Sequence, residues 1–533
     1  MTSDGSNAYI NDILDFSESP VTNEKSEIVE FLAHTNVLVT GGTGFLGKLL
    51  VEKLLRVCPD LNKLYMTVRP KKGKTALERY EENFDCVVYD KLKREQPNFM
   101  DKVVMLEGDA AHDDYGLSLE DKKLLMDINI IFHAAAVVRF DEKIRVAAHI
   151  NVRSTKFLLT FAKGLPNLKA FVHVSTAFAH CTHTLINEIH YKDSIDGDKF
   201  LTLVDAMDDE KLEKITPILL DKWPNTYVYT KAIGENIVLK YTDDLPVCIV
   251  RPSIVLSTDK EPLTAWTNNM YGATGVVLAS GVGLLRTLHC VSENIAEVIP
   301  ADYVVSNIVA SAWDIANKKA AQKLDENPKI PDEERIPIYN SVSSCQNPIS
   351  WGVFMNKNAI FGVEIPSIKV LWYYMLILNR YLLLHNICAF FLHTVPAVIV
   401  DTIALLSGRK PTLLDAYRKI HKFSKVIHYF SARQWRFKND NVVKLWEKMN
   451  SRDRQIFCFN TITLDWEEYF YQHMRGLRTY MLNDPFDTVE EGIKRYAKLR
   501  IAHYTVTLTV SLLLLWILVS FVSYIWSFWP LSH

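Results

Sequence analysis

The stretch Val37–Leu50, "VLVTGGTGFLGKLL", is a short apolar run that opens into four glycines and then becomes apolar again. A short run with β-branched residues predicts a buried strand, and the leucines that follow the glycines predict one face of a helix. Where a strand leads through glycines into a helix, bare backbone N–H groups and the positive helix end face the same point. Gly41, Gly44 and Gly47 therefore predict a cradle for phosphate groups.

Two other interpretations of this stretch are open. Gly42, Gly47 and Lys48 have the spacing of a nucleoside-triphosphate loop, but that loop needs Ser or Thr after the lysine to hold magnesium, and Leu49 stands there. A tight turn without a ligand is the plainer alternative. We favour a dinucleotide.

The next predicted strand, "KLYMTVRP", indicates which dinucleotide. In dinucleotide folds the end of this strand meets the adenosine ribose, where an acidic residue selects NAD and an arginine accommodates the 2′-phosphate of NADP. Arg69 stands there, followed by Lys71, Lys72 and Lys74, with no acidic residue in that turn. NADP(H) is predicted; a solvated basic loop is the alternative.

Four further runs read as strands: "KVVMLEGD", "INIIFHAAA", "LKAFVHVSTAF" and "PVCIVRPSIV". The first ends at Asp109, where such a fold contacts adenine, and the second ends in Ala134, Ala135 and Ala136, which leave room for a cofactor. Strands that alternate with helices predict an α/β fold, a Rossmann-type doubly wound parallel sheet with helices on both faces.

The candidate catalytic group lies in "NTYVYTKAIGE". Tyr227 and Lys231 are four apart on a predicted helix and so share one face. An ammonium beside a phenol is expected to lower the tyrosine pKa, and the phenol can then pass a proton to a carbonyl oxygen as hydride arrives. Ser175 or Thr176, at a strand end, can hold the same oxygen. Alone the pair is weak evidence in a chain with 23 tyrosines, and Tyr229 is interpreted as packing.

Together these motifs resemble an extended short-chain dehydrogenase/reductase over about the first 310 residues. Later motifs narrow the resemblance to the alcohol-forming fatty acyl-CoA reductases of the insect type, from about residue 33 to residue 485. They are "YGATGVVLASGVGLLRT", "IPADYVVSNIVASAW", "NPISWG", "RFKNDN" and "LDWEEYFYQHMRGLRTY". The chain departs from the usual pattern at Ile233, Gly234 and Ser350, none of which is expected to affect the chemistry.

The resemblance implies a two-step reduction of acyl-CoA to aldehyde and then to primary alcohol, with two NADPH. The implied cofactor-binding residues are Gly41, Thr43, Gly44, Phe45, Leu46, Gly47 and Arg69, to which the strand and helix patterns add Asp109, Ala134, Ala135 and Lys231. The implied catalytic residues are Tyr227, Lys231 and Thr176 or Ser175. A fatty acyl-CoA substrate and contact with membrane lipid follow.

The amino-acid composition limits which partners, metal sites and cellular compartments are expected. Sixty basic and 62 acidic residues are nearly balanced, so no nucleic-acid partner is expected. The eight cysteines are scattered without Cys-x-x-Cys, and the 16 histidines show no metal spacing, so no metal site and a reducing compartment are expected. The expected organisation is a polar tail (1–32), a nucleotide and substrate domain (33–360), a helical reductase domain (365–485) and a transmembrane helix (506–529).

The two apolar segments near the C-terminus lead to different predictions about the membrane. Val506–Trp529 has no charge and is long enough to span, and Lys494, Arg495, Lys498 and Arg500 before it put the catalytic body in the cytosol. The endoplasmic reticulum is the first choice of membrane, and the peroxisome or lipid droplet the second. Tyr381–Val400 is uncharged but interrupted by His385 and Pro396. We favour helices lying on the membrane or walling an acyl tunnel over a second span or a buried core.

Three rival functions are open. A sterol-type dehydrogenase running as an oxidase is disfavoured by Arg69, and a catalytically silent membrane scaffold is disfavoured by the Tyr227/Lys231 pair. A reductase that stops at the aldehyde is the third alternative.

Overall fold

A parallel sheet of seven strands organises the computed structural model, which describes residues 24–71, 73–242, 244–324 and 336–527. The strands are β1 Asn36–Thr40, β2 Lys63–Val68, β3 Val103–Glu107, β4 Ile130–His133, β5 Ala170–Val174, β6 Val247–Pro252 and β7 Ile338–Ser341. Their spatial order is β7-β6-β5-β4-β1-β2-β3, with every neighbouring pair parallel. The predicted doubly wound α/β fold is confirmed. The sequence patterns did not predict β7, whose polar Asn340 and Ser341 weaken the strand signal.

Helices cover both faces of this sheet. They are Glu27–Leu32, Phe45–Val57, Ala76–Phe84, Asp90–Glu95, Leu119–Leu124, Ile144–Ala148, Ser154–Ala162, Gly197–Ala206, Asp209–Leu220, Thr226–Tyr241, Ala273–Gly281, Ala301–Leu324 and Trp351–Glu364. Val37 and Val39 of β1 pack into one apolar cluster and Leu38 into another. Both sides of the strand are thus buried, which explains why parallel strands read as continuous apolar runs rather than alternating ones.

The direction of the chain reverses between β1 and β4. From β1 the strands proceed outward to β2 and β3, and the chain then crosses back to β4 on the other side of β1. The connections that leave the carboxyl ends of β1 and β4 therefore run in opposite directions, and open α/β sheets bind ligands at such a point.

The C-terminal region is mostly helical and packs onto the sheet domain. Its helices are Leu382–Ala389, Val395–Leu406, Leu413–Ser431, Asp440–Lys448, Ser451–Ile456, Trp466–Gly476 and Val489–Ser527. Two short strands tie it to the first domain: Ile377–Asn379 pairs with Thr287–His289, and Arg436–Phe437 pairs with Leu185–Ile186.

Part of the predicted polar tail belongs to this folded body. Residues 1–23 lie outside the described residues, but Glu27–Leu32 is a helix whose Ile28 and Leu32 are fully buried. Ser26 accepts a hydrogen bond from the backbone N–H of Val29 and donates one to Asp453 at 2.5 Å. This contact fixes the segment to the C-terminal region. No local sequence pattern predicts it, because Ser26 and Asp453 lie far apart along the chain.

The two apolar segments form long helices with exposed surfaces. Leu382–Leu406 runs as one helix through a π-helical turn at Phe390–Thr394, and 22% of its most apolar stretch is buried. Val489–Ser527 is a single helix that begins well before residue 506, the predicted start of the transmembrane helix. Its most apolar stretch is not buried at all. Both are long and apolar enough to cross a membrane, which supports membrane association. Trp529 of the predicted span lies outside the described residues.

Candidate active site

The glycine turn after β1 has no room for a side chain at Gly41 or at Gly47. Gly41 has a φ of +75°, and a Cβ there would lie 2.8 Å from the Ala135 Cα after β4. A Cβ on Gly47 would lie 2.1 Å from the Gly41 carbonyl oxygen. The helix that follows begins at Phe45 from Gly44, which provides no side-chain cap, so its first N–H groups are left for a ligand. The turn fits a dinucleotide pyrophosphate.

The turn opens on a cavity of about 680 Å³. Every residue that was predicted to bind cofactor or to act in catalysis lines this cavity: Gly41, Thr43, Gly44, Phe45, Leu46, Gly47, Arg69, Asp109, Ala134, Ala135, Ser175, Thr176, Tyr227 and Lys231. The structure thus brings together side chains from the ends of five strands and two helices. Their individual roles stay predictions.

The end of β2 carries the predicted phosphate-binding arginine. Arg69 Nη1 lies 3.3 Å from a carboxylate oxygen of Asp109, which follows β3. The turn that holds Arg69 has no acidic residue, as predicted, and the carboxylate beside Arg69 comes instead from the end of the neighbouring strand. Arg79 was not predicted; its guanidinium donates to Thr43 Oγ1 at 3.4 Å and to the Arg69 carbonyl. Arg69, Arg79 and Lys71 all line the cavity, whereas Lys72 lies outside the described residues.

The candidate catalytic pair lies on the helix Thr226–Tyr241, which Asn225 caps by accepting from the Val228 N–H at 3.0 Å. Tyr227 stacks on Phe140 at 5.7 Å between ring centroids and shares a hydrogen bond with Thr176. The Lys231 ammonium donates to the carbonyl of Val174, the last residue of β5, at 2.7 Å. The phenol and the ammonium therefore line one wall.

The pKa of the phenol differs from the expectation. Burial raises the pKa of Tyr227 to about 12, and the hydrogen bond with Thr176 opposes this only in part. Burial lowers the pKa of Lys231 to about 8, against the attraction of Glu235. The predicted lowering of the tyrosine pKa by the lysine is thus wrong for this structure, because desolvation dominates and the ammonium is hydrogen-bonded to Val174. The phenol is protonated at neutral pH, the form that a general acid requires.

Ser175 and Thr176 differ in the side chains that they contact. The Ser175 hydroxyl donates to Glu235 Oε1 at 2.5 Å, and the Arg251 guanidinium binds the same carboxylate at 2.9 Å. His180 contacts Glu235 from a third side, at 3.1 Å. Of the two candidates, Thr176 is therefore the one whose hydroxyl meets Tyr227, and Ser175 is held by a buried ionic cluster. The spacing of Tyr227, Lys231 and Glu235, each four apart, was the signal for this cluster.

The remaining wall of the cavity is apolar and comes largely from regions that carry no predicted site residue. Trp351, Phe354 and Met355 come from the helix Trp351–Glu364, and Ile427 and Phe430 come from the helix Leu413–Ser431. The C-terminal region thus completes the cavity. No group of three or more His, Cys, Asp or Glu suited to a metal occurs in the described ranges, and all eight cysteines are free thiols.

The chain is similar in sequence to known proteins along nearly its whole length. A family model for the NAD-binding domain of male sterility protein matches residues 39–308, and a second model of the same description matches residues 392–484. The chain is 39% identical to "Fatty acyl-CoA reductase wat" of Drosophila melanogaster over 93% of each protein. The chain belongs to the fatty acyl-CoA reductase family. It is also 36% identical to "Fatty acyl-CoA reductase 1" of Rattus norvegicus over 92% of each chain.

The family and the enzyme class predicted from the sequence are therefore confirmed, and the reductase has a nicotinamide cofactor domain. Solved structures agree on the fold. The terminal R domain of the myxalamid pathway has a TM-score of 0.54 at 17% identity, covering 85% of this reductase and 93% of that domain. The R domain of a Mycobacterium tuberculosis nonribosomal peptide synthetase has the same TM-score at 18% identity, covering 86% and 97%.

Proposed function

We propose that this reductase converts long-chain fatty acyl-CoA to the primary alcohol through an aldehyde, using two NADPH and releasing CoA. The observation that carries the proposal is one cavity with three surfaces: the glycine turn with its nearby cations, the Tyr227/Lys231 wall, and an apolar wall. These surfaces suit a phosphate-bearing nucleotide, a carbonyl group and a hydrocarbon chain, respectively.

The side chains divide the chemistry in the following way. NADPH supplies a hydride to the carbonyl carbon when it is bound. Tyr227 donates its proton to the carbonyl oxygen, and Thr176 holds that oxygen through the hydroxyl that now meets the phenol. Lys231, one helical turn away, stabilises the phenolate that remains. Loss of the CoA thiolate from the first product restores a carbonyl, and the same residues reduce it again.

NADPH rather than NADH is proposed because Arg69 and Arg79 flank the expected position of the 2′-phosphate. Replacing Arg69 with alanine is expected to weaken NADPH binding by about ten- to a hundredfold, the value of one charge-assisted contact. NADH affinity is expected to change little. Titration of both cofactors measures the two effects.

Arg94→Ala is the matched control, because Arg94 is exposed on the helix Asp90–Glu95 and does not line the cavity. It is expected to change neither affinity. An equal loss of both cofactors in Arg69→Ala would show that Arg69 does not read the phosphate.

Product identification tests the function itself. Membranes containing the full chain, given acyl-CoAs of several lengths with NADPH, are expected to yield fatty alcohol and free CoA. Accumulation of aldehyde without alcohol would instead support the aldehyde-forming alternative. Oxidation of an alcohol or sterol, with no reduction of acyl-CoA, would favour a different lipid dehydrogenase.

For the membrane we propose a single crossing by the C-terminal helix, with the catalytic body in the cytosol. Trp372 and Tyr373 contact His503 and Tyr504 of that helix, just before its exposed apolar run begins. We assign the endoplasmic reticulum first, and the peroxisome or lipid droplet second. The proposed domain limits stay 33–360 and 365–485, with 506–529 as the span.

The helix Leu382–Leu406 is proposed to lie on the membrane rather than cross it. A crossing there would put the chain after 406 on the opposite side from the sheet domain. Yet Arg436–Phe437 pairs with Leu185–Ile186, and Phe430 lines the same cavity as Tyr227. These contacts support a helix whose exposed apolar side chains rest in the interface.

Deleting the chain from Thr505 onward is expected to release the protein from membranes or leave it loosely attached, with the active site preserved, because all proposed site residues lie upstream. Alkaline carbonate extraction measures this, since it strips peripheral proteins and leaves spans embedded. In the full chain, the segment Arg433–Asn441, which contains the paired strand Arg436–Phe437, is expected to lie outside sealed vesicles, on the side to which added protease has access. Retention of the truncated protein in the carbonate-resistant pellet would contradict the single crossing.

A further inference from the structure

A second cavity of about 50 Å³ lies directly against the catalytic cavity. Within the described part of the chain the two share one lining residue, Met355, which is 5% exposed on the helix Trp351–Glu364. The adjacent residues Val276 and Val277 face different cavities: Val276 lines the catalytic cavity, and Val277 lines the second cavity. The Met355 side chain therefore forms the partition between the two spaces.

Most of the residues that line the second cavity are apolar, among them Val277, Leu278 and Leu477, and this lining suits a hydrocarbon chain. Two of its polar residues are held by the protein: the Ser367 hydroxyl donates to Asp484, and Arg478 lies 3.2 Å from the same carboxylate. Arg478 also donates to the Pro366 carbonyl at 2.6 Å. Among the described residues, Arg478 Nε and Asn358 Oδ1 have no hydrogen-bond partner, so the polar part of the wall is satisfied only in part.

The walls of this cavity are adaptable on two sides. Met355 and Met474 are unbranched side chains with three rotatable bonds, so each can swing without backbone movement. Gly362 also lines this cavity, and a Cβ there would lie 2.8 Å from Met474 Cε. Farther on, Tyr374 and Tyr496 join the cavity to the foot of the C-terminal helix, where the Tyr374 N–H donates to the Tyr496 hydroxyl at 3.3 Å.

We infer that the distal end of the acyl chain passes Met355 into this second cavity, and that Met355 and Gly362 set the longest chain the enzyme accepts. This inference rests on the proposed function, since it assigns the far end of the same substrate. Chains short enough to end before Met355 do not use the second cavity, and longer chains require its side chain to move aside.

The test is a chain-length profile of the full-length enzyme with NADPH and saturated acyl-CoAs of stepwise increasing length. Met355→Ala removes the partition and is expected to raise the ratio of kcat/KM for long over short chains by about tenfold, the usual discrimination for one or two methylene groups in an apolar pocket. Gly362→Ala adds a methyl group to the second cavity and is expected to lower that ratio by about tenfold.

One control variant accompanies these. Ile295→Ala enlarges a separate space of about 10 Å³ behind Trp351 and Phe430, and is expected to leave the profile unchanged. Should Met355→Ala fail to fold, Gly362→Ala still decides, because its methyl group faces only the flexible end of Met474.

Opposite shifts in Met355→Ala and Gly362→Ala support the inference. Unchanged profiles in both, beside a wild-type enzyme that reduces acyl-CoA, would overturn it and leave the proposed function intact. A shift in Ile295→Ala alone would overturn it in favour of the smaller space. A wild-type enzyme that reduces no acyl-CoA would overturn function and inference together.

Discussion

Replacing Tyr227 with phenylalanine is expected to lower the turnover of both acyl-CoA and aldehyde by about 10²–10⁴-fold, the usual cost of losing a general acid. NADPH affinity is expected to stay nearly intact, because the variant removes only the hydroxyl. The ring keeps its stack on Phe140, and Lys231 keeps its bond to the Val174 carbonyl. Turnover and cofactor affinity are measured on the same preparation.

Tyr229→Phe is the matched control for this experiment. Tyr229 lies two positions away on the same helix, but it is buried against Phe200 and Trp223 and does not line the cavity. The control is expected to keep wild-type turnover. Full activity in Tyr227→Phe, or an equal loss in both variants, would remove Tyr227 from its proposed role as proton donor.

Replacing Glu235 with glutamine is expected to lower the free energy of unfolding by about 3–5 kcal/mol, the cost of leaving one partner of a buried ion pair alone. Arg251 is fully buried and has this carboxylate as its charged partner, with Nη2 2.5 Å from Oε2. Ser175 and His180 also lose a charged acceptor. Thermal or denaturant unfolding of the detergent-solubilised enzyme measures the change.

The size of this effect depends on pH in a defined direction. Burial raises the pKa of Glu235, but Arg251 and the hydrogen bond from His180 outweigh it, so the pKa lies well below 4.5. A depressed carboxyl pKa contributes stability above the pKa of the unfolded chain and loses it as the pH falls. The difference between wild type and variant is therefore expected to be full at neutral pH and to shrink in acid.

Glu210→Gln is the control, because Glu210 makes the same type of ion pair, with Lys214, at a side chain that is 79% exposed. Surface pairs contribute at most about 1 kcal/mol, so this variant is expected to unfold much as the wild type does. Equal stability of Glu235→Gln and wild type would show that the buried cluster does not hold β5 and the helix Thr226–Tyr241 together.

Features whose signals lie within one or two neighbouring elements could be read from the sequence alone. The strand, glycine turn and helix of Val37–Val57 follow from local residue types and a single turn geometry. Tyr227 and Lys231 share a helix face because four residues are about one helical turn. The apolar helix after Val506 needs only length and composition. In each case the spacing along the chain already determines the spacing in space.

Contacts between distant segments required the tertiary structure. Asp109 meets Arg69 because β3 lies beside β2, and Ser175 binds Glu235 because the helix Thr226–Tyr241 packs across the end of β5. Phe430 lies far along the chain from Tyr227, yet both line one cavity. No spacing in the sequence relates these residues, because the packing of whole helices and strands sets the distances between them.

The apolar helix Leu382–Leu406 shows the same limit. By composition Leu382–Leu406 could cross a bilayer, lie on it or be buried, and its sequence does not distinguish these. The proposed position on the membrane surface rests on chain segments on both sides of this helix, Leu185–Ile186 and Arg436–Phe437, which pair with each other in one folded body. Local spacing encodes helices and turns, because their contacts are a few residues apart. Cavities, ion pairs and topology depend on residues that only the folded chain brings together, so they appear in the structure and not in the sequence pattern.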